Sequence, residues 1–291
     1  MTVKRIIKPD VVAKKEKKIK NEYRYSTLSQ ECQSQGLLAT EALLYALNSK
    51  SCKSNFVDLQ INLNSSMLKT GKREYIARII NLPHKLRSPI ESKVCLVTKD
   101  NIETYRAKLI GEGDDEDFFS TVVASIIGFK KFKSILRHPK EAKDLYHDYD
   151  LIICDWRLRK DLPKVIQGTV LGKSNRRFPL LVQINNPADA AVNPQAVGGS
   201  DSVDKKHVMK QIKSLCKNTS FVPTTGKSLS VIAGKRGMSG RQILENVDMI
   251  LSTCGIKRDN IKQLFLVCDG ETVPFFPETE VTEDKVEDEG Y

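Results

Sequence analysis

No stretch of this 291-residue chain approaches the ~20 consecutive apolar residues that a membrane-spanning helix needs, and no apolar segment of the kind that directs secretion follows its start. Cysteine is sparse and irregular: seven residues, at 32, 52, 95, 154, 216, 254 and 268, an odd set without a C-x-x-C pair. That spacing argues against a disulfide framework and a zinc site. Several of the seven fall inside strand or helix patterns, as buried thiols in a reducing compartment do. The four histidines are isolated and lack metal-ligand spacing. Nucleotide cradles are incomplete as well. Gly226-Lys227-Ser228 resembles the end of a phosphate-binding loop, but the earlier glycine that loop requires falls on Phe221, and Gly172-Lys173-Ser174 has Gln167 in that place. Gly111-Glu112-Gly113 fails the dinucleotide pattern at Glu116, in acidic surroundings that repel a pyrophosphate. There is no G-x-S-x-G elbow. Asp150 and Asp155 bracket a strand, where caps and surface salt bridges account for such residues. These absences predict a non-enzymatic protein with no cofactor, no metal, no small-molecule substrate and no membrane partner.

What the chain has in excess is positive charge, +11 in all. Residues 1–24 carry nine Lys/Arg against three acids, and 278–291 carry seven acids against one Lys, so arm and tail cancel and the excess belongs to 25–277. A cationic body favours a polyanionic partner such as nucleic acid, with solubility alone as the bland alternative. The run KKEKKIK at Lys14 to Lys20 reads equally as a nucleic-acid-binding arm, a nuclear import signal or a solvated helix start.

Local signals agree best between Ser228 and Gly270. Ser228 to Ala233 reads as a strand, and Gly234-Lys235-Arg236-Gly237 as a flexible cationic loop. Ser239 and Gln242 form a capping box, with Met238 and Ile243 at the staple positions. Ile243, Leu244, Val247, Ile250, Leu251 and Cys254 then recur at helical spacing up to Gly255, placed for a left-handed cap. Leu264 to Cys268 is a closing strand. Earlier, Gln30 to Asn48 predicts a helix with Leu37, Leu38, Leu44, Tyr45 and Leu47 inward, weakened by Gly36. Phe56 to Leu63 alternates strictly, Val57, Leu59, Ile61 and Leu63 on one face, as a half-buried antiparallel strand does. A turn at Thr70-Gly71-Lys72-Arg73 predicts a partner strand at Tyr75 to Leu82, ended by Pro83.

From Lys93 the texture changes to short apolar runs (Val94 to Thr98, Val122 to Ile127, Leu151 to Cys154, Pro179 to Ile184) separated by helical segments and an acidic loop at Glu112 to Asp117. Strands without alternation between helices predict a largely parallel sheet covered on both faces. Asn185 to Ser202 reads as a connector, followed by a helix from Lys205 to Cys216. The expected architecture is α/β overall: a discontinuous α+β domain from 25–91 and 185–277, with 92–184 inserted as a Rossmann-like α/β domain. The two chain crossings form a hinge, so relative domain motion is expected. The inserted block has 17 basic and 13 acidic residues, +4, which leaves +7 for the discontinuous domain and makes it the expected nucleic-acid face.

VIAGKRGMSGRQILENV (231–247), with FVPTTGKSL before it and QLFLVCDG after it, resembles the C-terminal part of the ribosomal protein L-one family. SNFVDLQINL (54–63), REYIARIINLPHKL (73–86) and VCLVTKD (94–100) are similar to that family's earlier segments, in the same order. The middle block, SIIGFKKFKSILRHPKEAKDLYHDYDLIICDWRLRKDLPKVIQG (125–168) followed by RRFPLLVQI (176–184), is closer to the family's eukaryotic nucleolar relatives, particularly at Asp155, Arg157, Leu162-Pro163 and Phe178-Pro179. The resemblance implies a split β-α-β domain that binds RNA, an inserted three-layer domain, and a nucleolar ribosome-biogenesis factor whose partners are pre-rRNA or rRNA and other pre-ribosomal assembly proteins. Within that group the overall length and short acidic tail point first to a small-subunit processome (90S pre-ribosome) component acting in pre-rRNA processing. Second comes a large-subunit assembly factor or the large-subunit stalk protein itself. A protein scaffold with little RNA contact stands apart from all of these. Phe56 matches the aromatic that opens the family's RNA-facing strand, and Gly234-Lys235 the glycine-lysine before its capped helix. The expected RNA-binding residues are Lys53, Phe56, Lys72, Arg73, Lys235, Arg236 and Arg241; edge packing for Phe56 and a solvated helix start for Lys235, Arg236 and Arg241 are the competing readings. The family's Ser-Thr-Met-Gly element is replaced here by Cys268-Asp269-Gly270-Glu271, which puts two acids where an RNA contact is expected.

Overall fold

The computed structural model describes residues 23–49, 55–68, 71–99, 101–110, 118–169, 178–185 and 203–276. The basic arm, Lys53, the acidic loop at 112–117, most of the connector and the acidic tail lie outside these residues.

Alternation along β1 (Phe56–Leu63) buries Val57, Leu59, Ile61 and Leu63 almost fully, as the sequence predicts, but Asp58, expected on the open face, is buried as well. β1 is central in an antiparallel sheet of order β10-β9-β1-β8, made with β8 (Ser228–Lys235), β9 (Ile261–Cys268) and β10 (Glu271–Pro274). Two helices cover one face of it, α1 (Gln30–Ser49) and a C-terminal helix, Gly240–Cys254, here α8. The capping box of α8 forms as expected, Ser239 accepting from the Gln242 N–H and Gln242 reaching back, and Gly255 closes the helix at φ 65°.

Helix α1 corrects one expectation. Leu38 and Tyr45 are exposed, at 67% and 79%, and the inward stripe is Cys32, Gly36, Ala39, Thr40, Leu43 and Leu47. Leu47 is inward as expected and Leu37 and Leu44 pack partly against the core, but Leu38 and Tyr45 face out, because the centre of the stripe is kept narrow for close approach to α8. A Cβ on Gly36 would stand 2.6 Å from Leu244 Cδ1, and one on Gly240 2.4 Å from Thr40 Oγ1. The glycine that weakens the helix locally is what its packing requires.

The second correction concerns Tyr75 to Leu82. Both flanks of β1 are taken by β8 and β9, so this segment cannot pair with it. Only Arg78–Ile80 is a strand, β2, and it pairs antiparallel with β7 (Thr219–Phe221) in a separate ribbon. The two chain crossings run beside this ribbon and are tied together: the Leu86 N–H donates to the Lys217 carbonyl, the Leu82 N–H to Asn218 Oδ1, and the Asn218 amide to Asn81.

The middle of the chain forms the expected parallel sheet, order β4-β3-β5-β6, from β3 (Val94–Thr98), β4 (Val123–Gly128), β5 (Leu151–Asp155) and β6 (Leu180–Val182). Helices α4 (Phe129–Arg137), α5 (Pro139–Asp148) and α6 (Leu162–Ile166) cover one face. Helices α2 (Ile102–Ile110) and α3 (Phe118–Val122) cover the other. The helix after the connector, α7 (Lys205–Lys217), joins that second layer: Val208, Ile212, Leu215 and Cys216 share one core with Val94, Leu96, Ile153 and Val182. Its five lysines, unaccompanied by any acid, come from the stretch whose charge was counted with the split domain. The cysteines at 32, 95, 154, 216 and 268 are buried and unbridged, and burial raises the Cys95 thiol to about 12.

Candidate nucleic-acid interface

The antiparallel pairing of β1 with β8 and β9 brings three chain positions to one end of the sheet. Phe56 opens β1 directly opposite Lys235 at the end of β8. On the other side Asp58 pairs with Val267, so the β9–β10 turn at Asp269-Gly270 lies at the same end. That turn has two consecutive positive φ angles, 49° and 90°, the geometry of a tight two-residue hairpin and a reason for glycine at 270. The result is a sheet end of mixed sign, with Lys235 and Arg236 at the β8 edge and Asp269 and Glu271 at the opposite, β10 edge.

The arginines here are already engaged with protein. The Arg236 backbone N–H donates to the Asn55 carbonyl at 2.7 Å, and its guanidinium donates to the Leu47 carbonyl at 2.9 Å. Helix α1 has no basic residue in its last turn, so Arg236 supplies from a distant loop the cation that a helix C-terminus favours. Arg241 donates to Glu245 at 3.1 Å, and Glu245 also contacts the imidazole of His84. Phe56 is half-buried, with the Arg87 guanidinium 4.4 Å from its ring centroid. The pair borders a cleft of about 430 Å³ that is also lined by Ile232 of the sheet, Asn218 of the crossing, and Tyr146 and Phe178 of the parallel-sheet domain. A base stacking on the Arg87 side of Phe56 must displace that guanidinium.

Lys72 is exposed and Arg73 half-buried on the segment entering β2, where the Arg73 guanidinium lies 5.9 Å from the Tyr75 ring centroid. Tyr75 packs against the parallel-sheet core, so these two cations belong beside the crossing. Lys53 lies outside the described residues. The Gly226-Lys227-Ser228 triplet is a turn leading into β8, with the Gly226 N–H held by Thr224 Oγ1 and no helix after it.

The residues that shape this region are polar ones on α8 that an apolar-face reading passes over. Asn246, fully buried, accepts from the His84 N–H at 3.0 Å and donates to the carbonyls of His84 at 3.1 Å and Ala233 at 2.8 Å. It fixes the Leu82-Pro83-His84 turn to the strand that carries Lys235. Asp248, also fully buried, accepts from the backbone N–H groups of Ser26, Thr27 and Leu28 at 2.9, 2.8 and 3.1 Å. Burial pushes its carboxyl up, but the backbone donors outweigh burial and hold it below the ordinary aspartate value. The signal available in the sequence was E-N-V-D set inside a helix whose next turns are apolar: three polar residues there imply partners.

The fold and this site define a class, that of a split α+β domain interrupted by a three-layer α/β domain, with a basic loop and an aromatic at one sheet end. The chain belongs to the Ribosomal protein L1p/L10e family, whose sequence pattern matches residues 11–268. It is 28% identical over 213 residues to the ribosome biogenesis protein UTP30 of Saccharomyces cerevisiae, covering 72% of this chain and 73% of that protein. It is also 23% identical over 212 residues to a putative ribosome biogenesis protein, C8F11.04, of Schizosaccharomyces pombe. That match covers 70% of this chain and about half of the fission-yeast protein, 51%.

Proposed function

We propose that this chain is a non-enzymatic ribosome-biogenesis factor that binds precursor rRNA and works in the nucleolus, in the small-subunit precursor particle, alongside other assembly proteins. The observation that carries the reading is the likeness to UTP30 over nearly three-quarters of both chains, joined to the pairing of Phe56 with Lys235 at one sheet end. In this reading Phe56, Lys72, Arg73, Lys235 and Arg241 meet RNA, with Lys53 on the segment just before β1. Arg236 positions their loop through Leu47 and Asn55. Phosphates are neutralised by the lysines and arginines, and Phe56 supplies an apolar or stacking surface once Arg87 swings aside. The acids at Asp269 and Glu271 weaken phosphate contact on the β10 side, so RNA approaches from the Lys235 and Lys72 side.

Crosslinking the protein to RNA in living cells and sequencing the attached fragments tests this. Reads crossing precursor rRNA spacers next to small-subunit sequence are expected. Reads confined to mature large-subunit rRNA, or none in rRNA, overturn it.

A further inference from the structure

A second basic surface lies away from that sheet end. Helix α7, KKHVMKQIKSLCK, holds five lysines and no acid in 13 residues. Val208, Ile212, Leu215 and Cys216 anchor one side of it in the parallel-sheet core. On the other side Lys206, Lys210, Lys213 and Lys217 fall at spacings of four, three and four, one row along the axis. Eleven residues at ~1.5 Å rise make that row about 16 Å long, with successive ammonium groups about one turn apart. Together with Lys205, Met209 and Ser214 they line an open groove of about 730 Å³. The groove's aromatic, Phe119, is fully buried, so its face offers no ring for an unstacked base.

We propose that the α7 lysine row is a second RNA-binding surface, one that grips the phosphate backbone of an RNA helix without reading its bases. A straight cationic row with no stacking platform fits a continuous phosphate strand of fixed shape; recognition of single-stranded bases needs exposed aromatic or planar groups. Charge complementarity selects the polyanion, and absence of aromatics selects the duplex. The surface lies on the inserted domain's second helical layer, whereas the proposed sheet-end contact lies on the split domain, so one protein can hold two RNA elements at once. The inference rests on the reading of the chain as an RNA-binding protein.

The test uses the full chain and a 20-base-pair RNA duplex, with affinity measured as a function of salt. Three variants are compared: Lys206→Ala/Lys210→Ala/Lys213→Ala/Lys217→Ala; Lys131→Ala/Lys133→Ala/Lys140→Ala/Lys143→Ala, which removes the same charge from the opposite layer; and, as the sheet-end variant, Phe56→Ala/Lys235→Ala. The α7 variant is expected to bind at least tenfold more weakly at low salt, with its log–log salt slope shallower by up to about 3.6, from ~0.9 per phosphate on a duplex. The opposite-layer variant is expected to stay within threefold of the unaltered protein. Circular dichroism checks folding, and the corresponding four-Gln variant repeats the test. An unchanged slope in the α7 variant, or an equal loss in the opposite-layer variant, overturns the proposal. So does displacement of the duplex by poly-glutamate at equal charge concentration, which would make the occupant an acidic protein segment. If the sheet-end variant alone loses RNA, this proposal falls and the function above stands; if the unaltered protein binds neither duplex nor single-stranded RNA, the function falls first and takes this with it.

Discussion

The sheet end around Phe56 and the lysine row of α7 are both basic, yet they use their charge differently. At the sheet end, Arg236 caps α1 through the Leu47 carbonyl, Arg241 pairs with Glu245, and Arg87 lies on the Phe56 ring. Acids at 269 and 271 lie at the same end of the sheet, on its far edge. On α7 the apolar side is set into a core, and the lysines form a one-signed row unrelieved by any acid on their own helix. A basic residue in a motif-rich loop is therefore a poor guide to what it contacts, because loops that return to a helix terminus need cations for their own structure. A lysine row opposite a buried stripe keeps its charged heads at the surface while its stems cover the helix.

Substitutions that separate structure from contact sharpen this contrast. The largest stability effect is expected from Asp248→Ala, which strands three backbone donors: a loss of about 3 kcal/mol in denaturant unfolding, with the entry to α1 loosened. The same carboxyl gives a pH dependence. Its folded value lies below its unfolded one, so its contribution is complete above ordinary aspartate titration near ~4 and is lost as pH falls through the folded value. Unfolding curves of the Asp248→Asn variant should therefore lack part of the acid sensitivity seen in the unaltered chain. Arg236→Ala should cost about 1.5 kcal/mol by removing a charged donor from Leu47, while changing RNA affinity less than Lys235→Ala does. If Arg236→Ala leaves stability untouched and abolishes RNA binding, the contrast between the two regions is broken. The smallest effect is expected for Arg241→Ala, under ~0.5 kcal/mol in thermal unfolding, since its pair with Glu245 is more than half exposed on the arginine side.

Much of the split domain was legible because its signals are local. The capping box at Ser239, the left-handed Gly255 and the alternation of β1 each depend on neighbours within one element, and each forms as read. The apolar runs at 94–98 and 151–154 likewise announced a parallel sheet. What escaped depends on distant partners. Leu43 displaced Leu38 and Tyr45 on the buried face of α1 because α8 approaches at Gly36 and Gly240. The segment at 75–82 could not pair with β1 because strands from the far end of the chain occupy both its sides. Asn246 and Asp248 look like ordinary helix polar residues until the turn at His84 and the segment at Ser26 fold over them. At the candidate site, the family resemblance named Phe56 and Lys235 separately; it did not show that β1 and β8 set them opposite one another or that Arg87 lies over the Phe56 ring. Nor did it show that α7 carries five lysines into the layer of the other domain.

Lysine footprinting tests the division of charge most directly: brief acylation of the intact protein, free and with RNA bound, read by mass spectrometry. The account predicts that RNA protects Lys206, Lys210, Lys213 and Lys217 together with Lys72 and Lys235, while Lys131 and Lys133 on the opposite layer react at unchanged rates. Protection spread evenly over all lysines, or confined to the opposite layer, would contradict it.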